Sequence, residues 1–125
     1  METDFSREII GAAVEVQRVL GTGLLESAYC AALAIEFSER ALRFQQEVPI
    51  SGMYKGRTLG VAYRADFLVE ESVVLELKAI EMVTESHRAQ LLSYLRIGSF
   101  RLGLLINFHV FPLASKGIHR VVNRF

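Results

Sequence analysis

The stretch Arg64 to Ile80, RADFLVEESVVLELKAI, restricts the chain more than any other. Two apolar, β-branched runs flank Glu70-Glu71-Ser72, the pattern of two antiparallel strands joined by a short polar loop. Side chains alternate along a strand, so Arg64, Asp66 and Leu68 share one face of the first run, and Val74, Glu76, Lys78 and Ile80 share one face of the second. A three-residue loop pairs Val69 with Val73, which sets Asp66 opposite Glu76 and Arg64 opposite Lys78. Opposed Cβ atoms then lie roughly 4.5–5.5 Å apart, and two carboxylates that close repel unless a positive charge stands between them. A hard divalent cation would supply it, with Lys78 as a second positive charge. A two-residue loop would put the two acids on opposite faces and abolish the site. The plainer reading is a hairpin with one wet face, on which Asp66, Glu76 and Lys78 are merely solvated.

A length of 125 residues points to a single domain spanning 1–125. Hydrophobic residues make up 51% of it, enough for a real core. No run of about 18 apolar residues suggests a membrane span, and the acidic start METDFSREII has no signal-peptide pattern, so a cytoplasmic location is expected. One cysteine, Cys30, excludes an internal disulfide and a cysteine metal cluster. Fourteen basic residues balance fourteen acidic ones, which counts against broad non-specific nucleic-acid binding but leaves room for a local basic patch.

Taken in order, Thr3 or Asp4 can cap a first helix running to about Leu20, with Phe5, Ile9, Ala13, Val16 and Leu20 on its apolar face and Gly21 ending it. A second helical segment opens at Gly23. In it Leu25, Tyr29, Ala32 and Ile35 share one side, and Glu26, Cys30, Leu33 and Phe37 form a neighbouring stripe headed by a carboxylate. A first-turn Glu favoured by the helix dipole accounts for Glu26, and a small core residue for Cys30. Phe44 to Ile50 reads as a strand, near an edge because of Pro49; Lys55-Gly56-Arg57 reads as a turn, and Thr58 to Val69 as the long strand carrying Asp66. Phe44 to Ala79 is therefore an antiparallel three-stranded meander. Thr84 caps a third helix, about Glu85 to Ile97, and Gly98 ends it. Phe100 to Phe108 is almost continuously apolar, as in a strand buried on both faces and paired in parallel, and Ile118 to Val122 adds an edge strand. His87, Gln90 and Tyr94 share a face of the third helix, while His109 and His119 lack partners at ligand spacing.

Together these residues resemble the PD-(D/E)XK nuclease superfamily: Asp66, a nine-residue gap, Glu76-Leu77-Lys78, then Gln90-Leu-Leu-Ser-Tyr94, the last similar to the Gln-x-x-x-Tyr element of its RecB-like branch. Gly23-Leu-Leu-Glu26-Ser-Ala-Tyr29 resembles the name-giving motif of the small GxxExxY proteins of that superfamily. The resemblance spans about Ile10 to Val121 and implies an α/β fold with a mixed sheet, the restriction-endonuclease-like αβββαβ core, carrying an extra N-terminal helix. It departs from the superfamily name at Ala65, which stands where Pro would precede the Asp.

The resemblance further implies that Asp66 and Glu76 hold Mg²⁺ or Mn²⁺, with the Leu77 carbonyl and Glu26 as further ligands. Lys78 would orient or help deprotonate the attacking water, or offset phosphate charge, and Gln90 and Tyr94 would position phosphate or metal-bound water. The expected activity is metal-dependent hydrolysis of DNA or RNA phosphodiesters. The competing reading is a non-catalytic module that binds nucleic acid or a protein partner. A third is a homodimer that completes a substrate groove through sheet edges near Pro49 or Ile118. For Arg64, an ion pair with Glu70 is preferred over a phosphate contact.

Overall fold

The fold, obtained as a computed structural model, describes residues 4–124. Two helices lead, α1 (Ser6–Leu20) and α2 (Glu26–Glu39). Three strands follow, β1 (Phe44–Tyr54), β2 (Arg57–Val69) and β3 (Val73–Lys78), and then α3 (Glu85–Gly98) and β4 (Leu102–Asn107). A π-helical turn (Leu113–Gly117) leads into β5 (Ile118–Val122). The strands lie in the sheet in chain order, antiparallel throughout except for the parallel β3–β4 pair. This is the expected αβββαβ arrangement with α1 in front and β5 behind.

The sheet separates two apolar clusters. On one face Phe67, Val69, Val73, Leu75 and Leu77 meet α1 and α2 through Ile9, Val16, Tyr29, Leu33 and Phe37. On the other, Leu68, Val74 and Leu105 meet Leu91 and Leu95 of α3. Odd and even positions of β3 thus serve different layers, as strand alternation requires. Every residue of β4 is buried, which explains its unbroken apolar run.

The start of α1 shows Asp4 accepting the Ser6 N–H at 3.0 Å; Thr3 lies outside the described residues. Gly21, at φ 74°, closes the helix as expected, its N–H donating to Gln17. The apolar face of α2 differs from the simple reading. Leu25 and Ile35 are exposed, and the helix enters the core through Tyr29, Leu33 and Phe37, an i, i+4, i+8 line rotated toward the Cys30 stripe. The helix begins at Glu26 rather than Gly23 because Gly21 to Leu24 form a loop that Tyr29 holds: its hydroxyl donates to the Gly21 carbonyl (2.8 Å) and accepts the Leu24 N–H (3.2 Å).

At the end of α3 the left-handed residue is Ser99 (φ 60°), not Gly98. Gly98 is needed for a different reason. A Cβ there would stand 2.8 Å from both Ile50 and the Phe100 ring, so glycine lets the helix end lie on β1. Two buried amides fix the remaining connections. Gln17 (α1) donates to the carbonyls of Phe108 and Val110 and accepts from Leu113 N–H, at 2.7–3.1 Å. Asn107 (β4) holds both the N–H and the carbonyl of Ile80, two residues past Lys78. No helix among the described residues is long and apolar enough to cross a membrane.

Candidate active site

The β2–β3 ladder runs Val69–Val73, Leu68–Val74, Phe67–Leu75, so the connecting loop has three residues, Glu70, Glu71 and Ser72. The first two adopt left-handed conformations (φ 52° and 53°) that make the tight reversal, and Ser72 N–H donates back to Val69. That register brings Asp66 opposite Glu76. Past Phe67–Leu75 the Leu77 N–H turns to the Asp66 Oδ2 at 2.7 Å, a side-chain bond that fixes the carboxylate at the strand end.

Glu76 is held from both sides. The Tyr63 hydroxyl donates to its Oε1, and Lys78 Nζ stands 3.5 Å from its Oε2. Burial pushes the Glu76 carboxyl up and the neighbouring Asp66 pushes it further; the Tyr63 hydrogen bond and Lys78 act in the opposite sense. Burial likewise raises Asp66, against the Leu77 N–H and Lys78, which favour its charged form. The two acids therefore sit half-buried and face to face, with one ammonium to offset them.

From the α2 side Asp66 lines a cavity of about 430 Å³ with Glu26, Cys30, Gln46, Glu47 and Arg64. Glu26 reaches it from the first turn of α2, which the Tyr29 clamp positions. Its carboxyl is raised by burial and by Asp66. Burial, with Asp66 and Glu26 nearby, pushes the Cys30 thiol up to about 12, so it is no nucleophile at neutral pH. The structure thus brings Asp66, Glu76, Lys78 and the Leu77 backbone together, with Glu26 across the cavity. Among the described residues, no group of three or more His, Cys, Asp or Glu side chains is arranged to hold a metal ion by itself.

Tyr94 does not touch Glu76 directly. Its ring stacks on Tyr63 with centroids 3.5 Å apart, so it steadies the phenol that holds Glu76. Gln90 is exposed one turn earlier, and His87 is engaged at the helix start, accepting the Thr84 N–H at 2.9 Å. The expected Arg64–Glu70 pair is not formed. Glu70 is taken by Arg43, through its backbone N–H (2.8 Å) and its guanidinium (3.0 Å), because β1 begins beside the β2–β3 loop. Arg64 instead faces the cavity. The sequence gives little sign of Tyr63, since a strictly alternating strand would set it on the face opposite Asp66. Its hydroxyl aside, the only signal was an aromatic beside a charged pair.

The donor set is all oxygen: Asp66 on the wall of an open cavity, Glu26 from α2 on the same cavity, and Glu76 beside Asp66. That suits Mg²⁺ or Mn²⁺, which accept one or two protein carboxylates and take their other ligands from water and phosphate. Two desolvated acids facing each other, both raised by burial, are a site where a cation relieves repulsion.

The fold and this pair of strands define a class, and a family model confirms it: the model of the PD-(D/E)XK nuclease superfamily matches residues 3–121. The chain belongs to that superfamily, whose members generally use divalent metal ions and act on nucleic acid. A search of curated proteins returns no match.

Proposed function

We propose that this chain is a metal-dependent nuclease of the GxxExxY type, hydrolysing phosphodiester bonds of DNA or RNA in the cytoplasm. The observation that supports it most is Asp66 beside Glu76, with Lys78 3.5 Å from Glu76 and Asp66 open to the cavity. Asp66 and Glu76 would hold Mg²⁺ or Mn²⁺, with the Leu77 carbonyl and, across the cavity, Glu26 contributing directly or through water. The ion, when bound, acidifies water and neutralises phosphoryl oxygens. Lys78 would orient the attacking water or face the phosphate, its ammonium offsetting charge that builds on the phosphoryl oxygens. Tyr63 fixes the Glu76 carboxylate, Tyr94 fixes Tyr63, and Gln90 stands one turn away to position phosphate or water.

The test combines Mn²⁺ titration calorimetry with cleavage of single- and double-stranded DNA and RNA. Saturable Mn²⁺ binding in the wild type should vanish in Asp66→Ala, and cleavage should fall by at least about 100-fold, on the order of 3 kcal/mol of barrier, in Asp66→Ala and Glu76→Ala. Unchanged cleavage in both variants would sink the proposal.

One observation favours a second reading: both Glu76 oxygens are already engaged, by Tyr63 and Lys78. A nuclease fold used only to bind nucleic acid or a protein would show no Mn²⁺ affinity, and Lys78→Ala would leave its binding intact.

A further inference from the structure

β1 and β2 continue well beyond the sheet. From Met53 to Ala62 every residue is exposed, and the strands end in a two-residue turn at Lys55-Gly56, both at positive φ (51° and 79°). The pairs Tyr54–Arg57, Met53–Thr58 and Gly52–Gly60 keep the ribbon together, and two register shifts, between Ile50 and Ser51 and between Gly52 and Met53, interrupt its ladder. The ribbon buries nothing that explains its length.

Its composition is one-sided. From Val48 to Ala65 the chain carries Lys55, Arg57 and Arg64 and no acidic residue, leaving eleven basic against fourteen acidic residues elsewhere. Of the eleven cations elsewhere, six are paired with carboxylates, whereas among the described residues none of these three is. Lys55 lies over the Tyr54 ring at 5.4 Å. Between the cations stand Met53, Tyr54, Leu59 and Val61, each 52–66% exposed. Unpaired cations interleaved with aromatic and apolar side chains fit a polyanion that also offers sugar and base surfaces. A body otherwise short of positive charge leaves the ribbon as the place where such a polyanion is drawn in.

The ribbon is also continuous with the site. Arg64 lines the cavity beside Asp66, and the nine residues from Asp66 to Arg57 span about 30 Å at 3.3 Å each. That is the length of roughly nine nucleotides of a strand at 3.4 Å per step.

We propose that the β1–β2 ribbon is the arm that grips the nucleic acid, with Lys55 and Arg57 on phosphates several nucleotides from the bond lying at Asp66 and Glu76. This rests on the nuclease reading and names where its substrate lies.

The test measures binding of labelled DNA and RNA, about 30 nucleotides long so that they reach the turn, by fluorescence anisotropy across a salt series in Mg²⁺. An Asp66→Asn background prevents cleavage, and Lys55→Ala/Arg57→Ala is compared with the parent. Affinity should fall at least tenfold, and the slope of log affinity against log salt should shrink by about 2, one unit per lost phosphate contact. In the active background the double variant should lose cleavage of the long substrate through KM and cleave a fragment of about four nucleotides as the parent does, since that is too short to reach the turn. Thermal melts check that the fold is kept. Unchanged affinity and slope, with cleavage retained, overturn the arm and leave the nuclease reading standing. A wild type that neither binds nor cleaves overturns both. A wild-type dimer in sedimentation that Met53→Ser/Val61→Ser makes monomeric, with nucleic-acid affinity unchanged, assigns the ribbon to a second copy of the chain and overturns the arm.

Discussion

Replacing Lys78 by Met removes one charge and keeps most of the stem, so it isolates what the ammonium does between the two acids. At 3.5 Å the Lys78–Glu76 attraction is about 5 kcal/mol for an effective dielectric of 20. Desolvation and the residual exposure of both side chains (22% and 17%) offset much of that. The pair therefore falls between the ~1 kcal/mol of an exposed bridge and the 3–5 kcal/mol lost when one partner of a buried pair is removed; about 2 kcal/mol is expected. The loss must depend on pH. Asp66 and Glu76 both titrate above their ordinary values of 3.8 and 4.5 in the fold, so the folded chain holds its protons more tightly than the unfolded one. Metal-free stability is thus greatest below the ordinary values and declines as pH rises through the raised ones. Lys78 lowers both carboxyls, so its removal deepens the decline and carries it to higher pH. Urea unfolding without metal should bring the stabilities of wild type and Lys78→Met close together near pH 3, below the ordinary values of both acids. At pH 8 the variant should be about 2 kcal/mol weaker, a midpoint about 1 M lower for a slope near 2 kcal/mol/M. An equal deficit at both pH values would mean that Lys78 contributes through its packed stem, and the electrostatic account of the site would be wrong.

Two further outcomes test the frame around the site. Gln17→Leu leaves the Phe108 and Val110 carbonyls without their donor and the Leu113 N–H without its acceptor, so unfolding in urea should show a loss of about 3 kcal/mol; less than about 1 kcal/mol would mean water replaces the amide. Asp4, held down to about 2 by Arg120 and Ser6, contributes stability that is present above its ordinary 3.8 and lost as pH falls toward 2. Asp4→Asn should therefore flatten the acid limb of a thermal-melting series, by no more than about 1 kcal/mol because the pair is partly exposed, and an unchanged limb would dismiss the Asp4–Arg120 pair as a source of stability.

Local patterns in the sequence carried much of this structure. The hairpin and its register were legible because β-branched runs flank three polar residues, and β4 because a strand covered on both faces is apolar at every position. The parts that stayed hidden depend on distant partners. Nothing near Gln17 or Asn107 announces that each fastens backbone far along the chain. Tyr63 enters the site through a reach that alternation forbids, and Tyr94 acts through Tyr63 rather than on the site itself. The buried face of α2 is not legible, because Leu25 and Ile35 are apolar yet exposed, and apolarity does not say which stripe meets the sheet. The partner of Glu70 is hidden for the same reason, since Arg43 arrives from the start of β1, far from the hairpin in sequence.

β1 is an outer strand, and its middle is broken twice. Glu47 sits at φ 50° and Pro49 has no N–H to donate. A foreign strand laid along that edge would meet a missing donor and a twisted step within three residues, so it could not extend a continuous ladder. The kink that borders the cavity at Glu47 therefore also blunts the border of the sheet. A chain with an open five-stranded sheet gains resistance to fibrous association from the same residues that shape its cleft.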